Sequence, residues 1–114
     1  MSEIKLEHSG CSDNCPIELA ISIIGGKWTS LIIRDLLIDK TIRFGDFLRS
    51  LDGISPKTLS LRLKELEKSD IITRTVYPEI PPHVEYSLTT KGKALESIFL
   101  ELKKWGMAIQ SSDQ

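Results

Sequence analysis

The chain has 114 residues, 40% of them apolar and 27% charged, and a net charge of −1. That is enough to bury one core but not two. Its apolar clusters are too short and too often broken by charge for a membrane span or a secretory core, which predicts a single cytoplasmic domain whose two cysteines are thiols rather than a structural bridge.

Residues 1–14 read as an N-terminal arm ahead of a domain over 15–114. The start is acidic, with Lys5 alone against Glu3, Glu7, Asp13 and Glu18 up to residue 18. Pro16 suits a first helical position, so Cys15 stands at a helix start. Free N–H groups there favour a thiolate and raise its reactivity, while Asp13 and Glu18 oppose that effect. Cys15 and Cys11 are therefore the candidate redox-sensing residues, the alternative being that both are idle thiols. His8, Cys11 and Cys15 lack a clear fourth ligand, so no metal site is expected.

The first helix, Pro16 to Ile24, carries Ile17, Ala20, Ile21 and Ile24 on one side and Leu19 and Ile23 on the other. Such a helix must be covered twice. Gly25-Gly26 ends it, and a second helix opens at Lys27-Trp28 or Thr29, turning Leu31, Ile32 and Leu36 toward the core. Trp28 reads as a core anchor, with ligand stacking as the alternative. Phe44, Phe47, Leu48 and Leu51 predict a short third helix, and Gly53 marks a turn after it, so two helices form a helix-turn-helix pair.

The next helix starts at a defined residue. Ser55 can cap it with its side-chain oxygen, and Pro56 fits the first position. Leu59, Leu63 and Leu66 fall on one face, with Lys57, Ser60, Leu61, Lys64 and Lys68 on the other. Residues 54–77 hold Lys57, Arg62, Lys64, Lys68 and Arg74 against Glu65, Glu67 and Asp70, so positive charge is concentrated locally. A basic amphipathic helix alone is usually a solvated face. Here Ile72 to Val76 and Val84 to Leu88 alternate like half-buried strands, and the turn-rich Tyr77 to His83 separates them. A helix followed by a two-stranded wing is a DNA-reading geometry.

Within such a motif the N-terminal half of the reading helix enters the major groove, which makes Lys57, Thr58, Ser60, Leu61 and Lys64 the candidate base contacts. Leu61 either meets a thymine methyl or is an ordinary exposed leucine. Arg74 is a phosphate candidate. His83, at the wing tip, reads as a solvated loop residue.

The last helix, from near Thr89, places Leu95, Ile98, Phe99, Leu102, Trp105 and Ile109 in a stripe, with Leu100 and Met107 off it. The stripe alone suggests a wide core face. One small core cannot cover both this helix and the two-sided first one, so Leu19, Ile23, Leu100 and Met107 are candidate dimer-interface residues. A two-fold dimer would set two reading helices about 34 Å apart, or a multiple of it, over a near-palindromic operator.

Cys15-Pro16, Gly25-Gly26-Lys27-Trp28, Arg43-Phe44, Gly53-Ile54-Ser55, Arg62 to Glu67, Pro81-Pro82, Val84-Glu85-Tyr86 and Leu88-Thr89 with Gly92 together resemble the HxlR-type winged helix-turn-helix regulators, relatives of the MarR group. The likeness runs from Cys15 to the last helix. It implies an α+β, mainly α, fold with N- and C-terminal dimerisation helices. It also implies a homodimeric bacterial transcription factor binding double-stranded DNA, more often a repressor, with no catalytic site. The Cys before Pro matches members that sense oxidants or electrophiles through an N-terminal cysteine. Cys11 is an additional thiol. The competing reading is a winged-helix protein-interaction module. No nucleophile–base–orienter set or phosphate loop suggests an enzyme, no cofactor is implied, and no residue names an inducer.

Overall fold

The computed structural model describes Ile4, Leu6 and residues 15–112. Helix α1 (Pro16–Ile24) stops at Gly25, whose N–H donates to the Ile21 carbonyl at 2.7 Å. The chain then turns by 80° into α2 (Lys27–Asp39). Short β1 (Thr41–Arg43) leads into α3 (Phe44–Ser50), and α4 (Pro56–Lys68) follows. Gly53 between these helices has φ +90°, a left-handed conformation that L side chains rarely adopt. Strands β2 (Ile72–Tyr77) and β3 (His83–Leu88) make a hairpin, and α5 (Thr90–Lys93) and α6 (Glu96–Ser112) complete the chain. This is a mainly helical winged helix-turn-helix.

The sheet has the antiparallel order β1-β3-β2. Tyr86 sits between Ile42 and Arg74, turns into the core and meets Phe47 with ring centroids 6.3 Å apart. Around that contact pack Ile32, Ile33 and Leu36 of α2, Leu59, Leu63 and Leu66 of α4, and Ile72 and Leu88 of the hairpin. The leucine face predicted for the reading helix is thus the face that packs, and its position is held by α2, α3 and the sheet. Trp28 lies half-buried against this core, with Lys27 Nζ 4.7 Å from its ring.

The structure departs from or adds to the sequence reading at four places. A three-residue strand, β1, joins the sheet where sequence periodicity offers nothing to read. The hairpin strands each extend one residue further, because Tyr77 and His83 pair across them. The last helix is two helices, with Thr89 capping α5 by accepting from Gly92 N–H at 3.0 Å. Of the two readings of the α6 stripe, the wide core face is the one that fails. Of that stripe only Leu95, just before α6, and Phe99 pack on the core, while Ile98, Leu102, Trp105 and Ile109 stay exposed, Trp105 at 69%.

Candidate DNA-reading surface

Helix α4 is anchored at its start. The Ser55 side chain accepts from Thr58 N–H at 3.1 Å and donates to the Thr58 hydroxyl oxygen at 3.0 Å. That double contact holds the first turn and gives Thr58 a positioning role beside its predicted outward one. Beyond it Lys57, Leu61 and Lys64 are exposed and Thr58 and Ser60 half-exposed, with Leu61 at 50%. Among the described residues, Lys57, Lys64 and Arg74 make no ion pair, whereas Arg62 on the same helix is taken up by Glu65 at 2.8 Å. These three, with the exposed Lys68 at the far end of the helix, remain for an external anion.

An open groove of about 490 Å³ runs between α4 and the wing, bordered by Ser60, Lys64, Glu67, Arg74, Val84 and Tyr86. It brings Arg74 of β2 to the same hollow as Ser60 and Lys64. Lys57, Thr58 and Leu61 do not line it; they continue the exposed face toward the N-terminus of α4. Glu67 enters the groove as an acidic member that the amphipathic pattern alone did not single out.

The wing holds a group that sequence reasoning missed. His83 is half-buried rather than solvated, stacked on Tyr77 at 4.7 Å and placed between Glu79 and Glu85 at 3.3 and 3.0 Å. With the strand read from Val84, His83 fell in the turn, and neither its strand position beside Glu85 nor its partners across the turn could be seen.

Cys15 occupies the N-cap of α1, as the Cys-Pro pair predicts, and its backbone carbonyl accepts from Leu19 N–H at 3.0 Å. Its side chain is only 5% exposed. Cys11 and His8 lie outside the described residues. On the terminal helices Leu19, Leu100 and Met107 are exposed, but Ile23 is half-buried against the protein's own core. Neither α1 nor α6 buries a single residue fully. An apolar groove of about 800 Å³ between α2 and α6 is lined by Leu31, Leu37, Ile38, Phe99, Leu100 and Leu102, with Arg34 and Lys103 at its rim. No single helix among the described residues is long and apolar enough to cross a membrane.

Residues 23–114 match the model of the HxlR-like helix-turn-helix family. The chain belongs to that family. An HTH-type transcriptional regulator of Halalkalibacterium halodurans is 43% identical over 112 residues, covering 98% of each chain. Among solved structures, the redox regulator HypR in its oxidized form shares 44% identity with a TM-score of 0.76, covering 82% of this chain and 96% of its own. A MarR-family regulator from Porphyromonas gingivalis W83 shares 39% with a TM-score of 0.79, over 91% and 97%. The protein is accordingly a DNA-binding helix-turn-helix transcriptional regulator, and its relatives are named as regulators rather than as enzymes.

Proposed function

We propose that the protein is a homodimeric cytoplasmic repressor that reads a near-palindromic operator with two copies of α4. The observation that carries this reading is the placement of cations that make no ion pair among the described residues, Lys57 and Lys64 on the outward face of α4 and Arg74 across the groove. Lys57, Thr58, Ser60, Leu61 and Lys64 meet base edges in the major groove, Leu61 against a thymine methyl, and Arg74 meets phosphate. The apolar surfaces of α1 and α6, with Leu19, Leu100 and Met107 among their exposed residues, pack on a second copy. Residues 15–114 form the domain, and residues 1–14 an arm ahead of it.

Selection of bound duplexes from a random-sequence library, followed by titration of the recovered site, tests the assignment. Lys57→Ala and Lys64→Ala should keep the fold, since neither side chain is in the core, and each should weaken binding by about 1–3 kcal/mol if it contacts a base. A phosphate contact would instead weaken all sequences alike and flatten the salt dependence. Unchanged affinity in both variants rejects this face. Absence of any selected duplex would favour a protein partner for α4.

The redox regulator HypR among the similar structures supports an oxidant input through Cys15, with Cys11 as a second thiol. Because Cys15 is buried, an adduct on its sulfur is expected to displace its neighbours at the start of α1. If α1 lies in the dimer interface, that displacement alters the spacing of the two reading helices. Oxidants or quinone-like electrophiles are expected to change operator affinity of the wild type and of Cys11→Ser but not of Cys15→Ser. Wild-type binding that is indifferent to complete thiol modification removes both cysteines from the regulatory reading.

A further inference from the structure

His83 is the sole histidine among the described residues, and it sits where the wing turn re-enters the sheet. Its ring is held on every side. It stacks on Tyr77 of β2 with 16° between the planes. Nδ1 lies 3.3 Å from Glu79 Oε2 in the turn, and Nε2 lies 3.0 Å from Glu85 Oε2, two residues along its own strand. Glu85 in turn faces Arg43 Nε of β1 at 3.9 Å. Those are the ionisable groups around it.

A neutral imidazole carries one N–H and one bare nitrogen lone pair. Between two carboxylates, that bare nitrogen would face an oxygen lone pair with no proton to share. An imidazolium donates to both. Protonation therefore closes a chain of contacts from Glu79 in the turn, through His83 and Glu85, to Arg43 on β1. It also adds a positive charge between two carboxylates that would otherwise repel a nearby phosphate.

We propose that His83 is a positioning residue of the DNA-binding wing: its imidazolium ties Glu79 in the turn to Glu85 on the strand, and DNA affinity rises as the ring takes up its proton. The proposal rests on the reading of α4 and the wing as the DNA surface. Histidine is the side chain that most readily exchanges a proton near neutral pH, so the gain should appear as acid is added and disappear as base is added.

The test titrates the duplex recovered by selection with wild type, His83→Gln and His83→Arg, at constant ionic strength, from about pH 5.5 to 8. Wild type should bind about tenfold more tightly at the acidic end, a difference of about 1.4 kcal/mol. His83→Gln should be weak with a flat profile. His83→Arg should be strong with a flat profile, because a guanidinium keeps its charge and can span both carboxylates. His8 is present in all three proteins, so the differences between profiles decide. A wild-type profile retained by His83→Gln, or the same factor lost by it at every pH, overturns the proposal while leaving DNA binding intact. Folded proteins that bind no duplex at any pH overturn the DNA reading itself, and the wing linkage with it.

Discussion

Gly92→Ala should destabilise the domain by about 3 kcal/mol, a large share of the roughly 5–15 kcal/mol that holds a domain folded. A Cβ at this position would stand 2.3 Å from the Ile71 carbonyl oxygen and 3.0 Å from Leu88 Cδ2. The first of these is backbone and cannot rotate away. That carbonyl already accepts Thr89 N–H at 2.9 Å, while the Thr89 hydroxyl donates to the Asp70 carbonyl at 2.7 Å and Lys91 Nζ to the Ser69 carbonyl at 3.1 Å. Helix α5 is thus clamped onto the segment that joins α4 to β2, and the added methyl would push it off. Loosening there frees the base of the wing relative to the reading helix, so DNA affinity should fall together with stability. Gly45→Ala is the control: its nearest contact would be Arg49 Nη1 at 3.7 Å, an ordinary separation. Urea unfolding followed by circular dichroism decides, and equal midpoints for the Gly92 and Gly45 variants would show that α5 yields without cost.

The reading helix was legible because its signals are local. Ser55 and Pro56 fix its first turn, and Leu59, Leu63 and Leu66 repeat at helical spacing, so both its start and its buried face could be assigned before any partner was known. The same holds for α1, bounded by Cys15-Pro16 and Gly25. By contrast, Thr41–Arg43 is a strand only because Ile42 finds Tyr86 on β3, a tertiary event with no period in three residues. The break before α6 was hidden for the opposite reason: Ala94 keeps helical angles, φ −63° and ψ −15°, and nothing in its neighbours stops a helix. Periodicity in α6 told which sides are apolar but not what covers them; that one small core could not cover the whole stripe was legible from chain length, and most of it does lie outside the core. The cation surface could be listed from sequence, yet its division into a groove shared by Lys64 and Arg74 and a separate N-terminal face needed the wing's placement.

Leu100→Glu should cost the isolated domain little and the regulator most of its DNA affinity. The side chain is half-exposed on α6, beside Phe99 and Leu102 at the groove facing α2, where a carboxylate in a single copy stays in water. Surface changes of that kind usually move stability by less than about 0.5 kcal/mol. If α6 packs on a second copy, the same carboxylate must leave water for an apolar contact, with Arg34 and Lys103 only at the groove's rim, which disfavours assembly. Sedimentation should then show monomers with unchanged helix content. Operator binding should fall by about 10²–10⁴, because each half-site loses the effective concentration that its tethered neighbour supplies. Leu19→Glu on α1 is the matching variant, since Leu19 is 63% exposed. Ile23→Glu is a poorer choice, because Ile23 packs against its own core and would confound assembly with folding. Intact dimers in both the Leu100 and Leu19 variants would remove the terminal helices as the interface. Monomers that still hold a full operator at wild-type affinity would mean that one copy of α4, with its wing, reads the whole site.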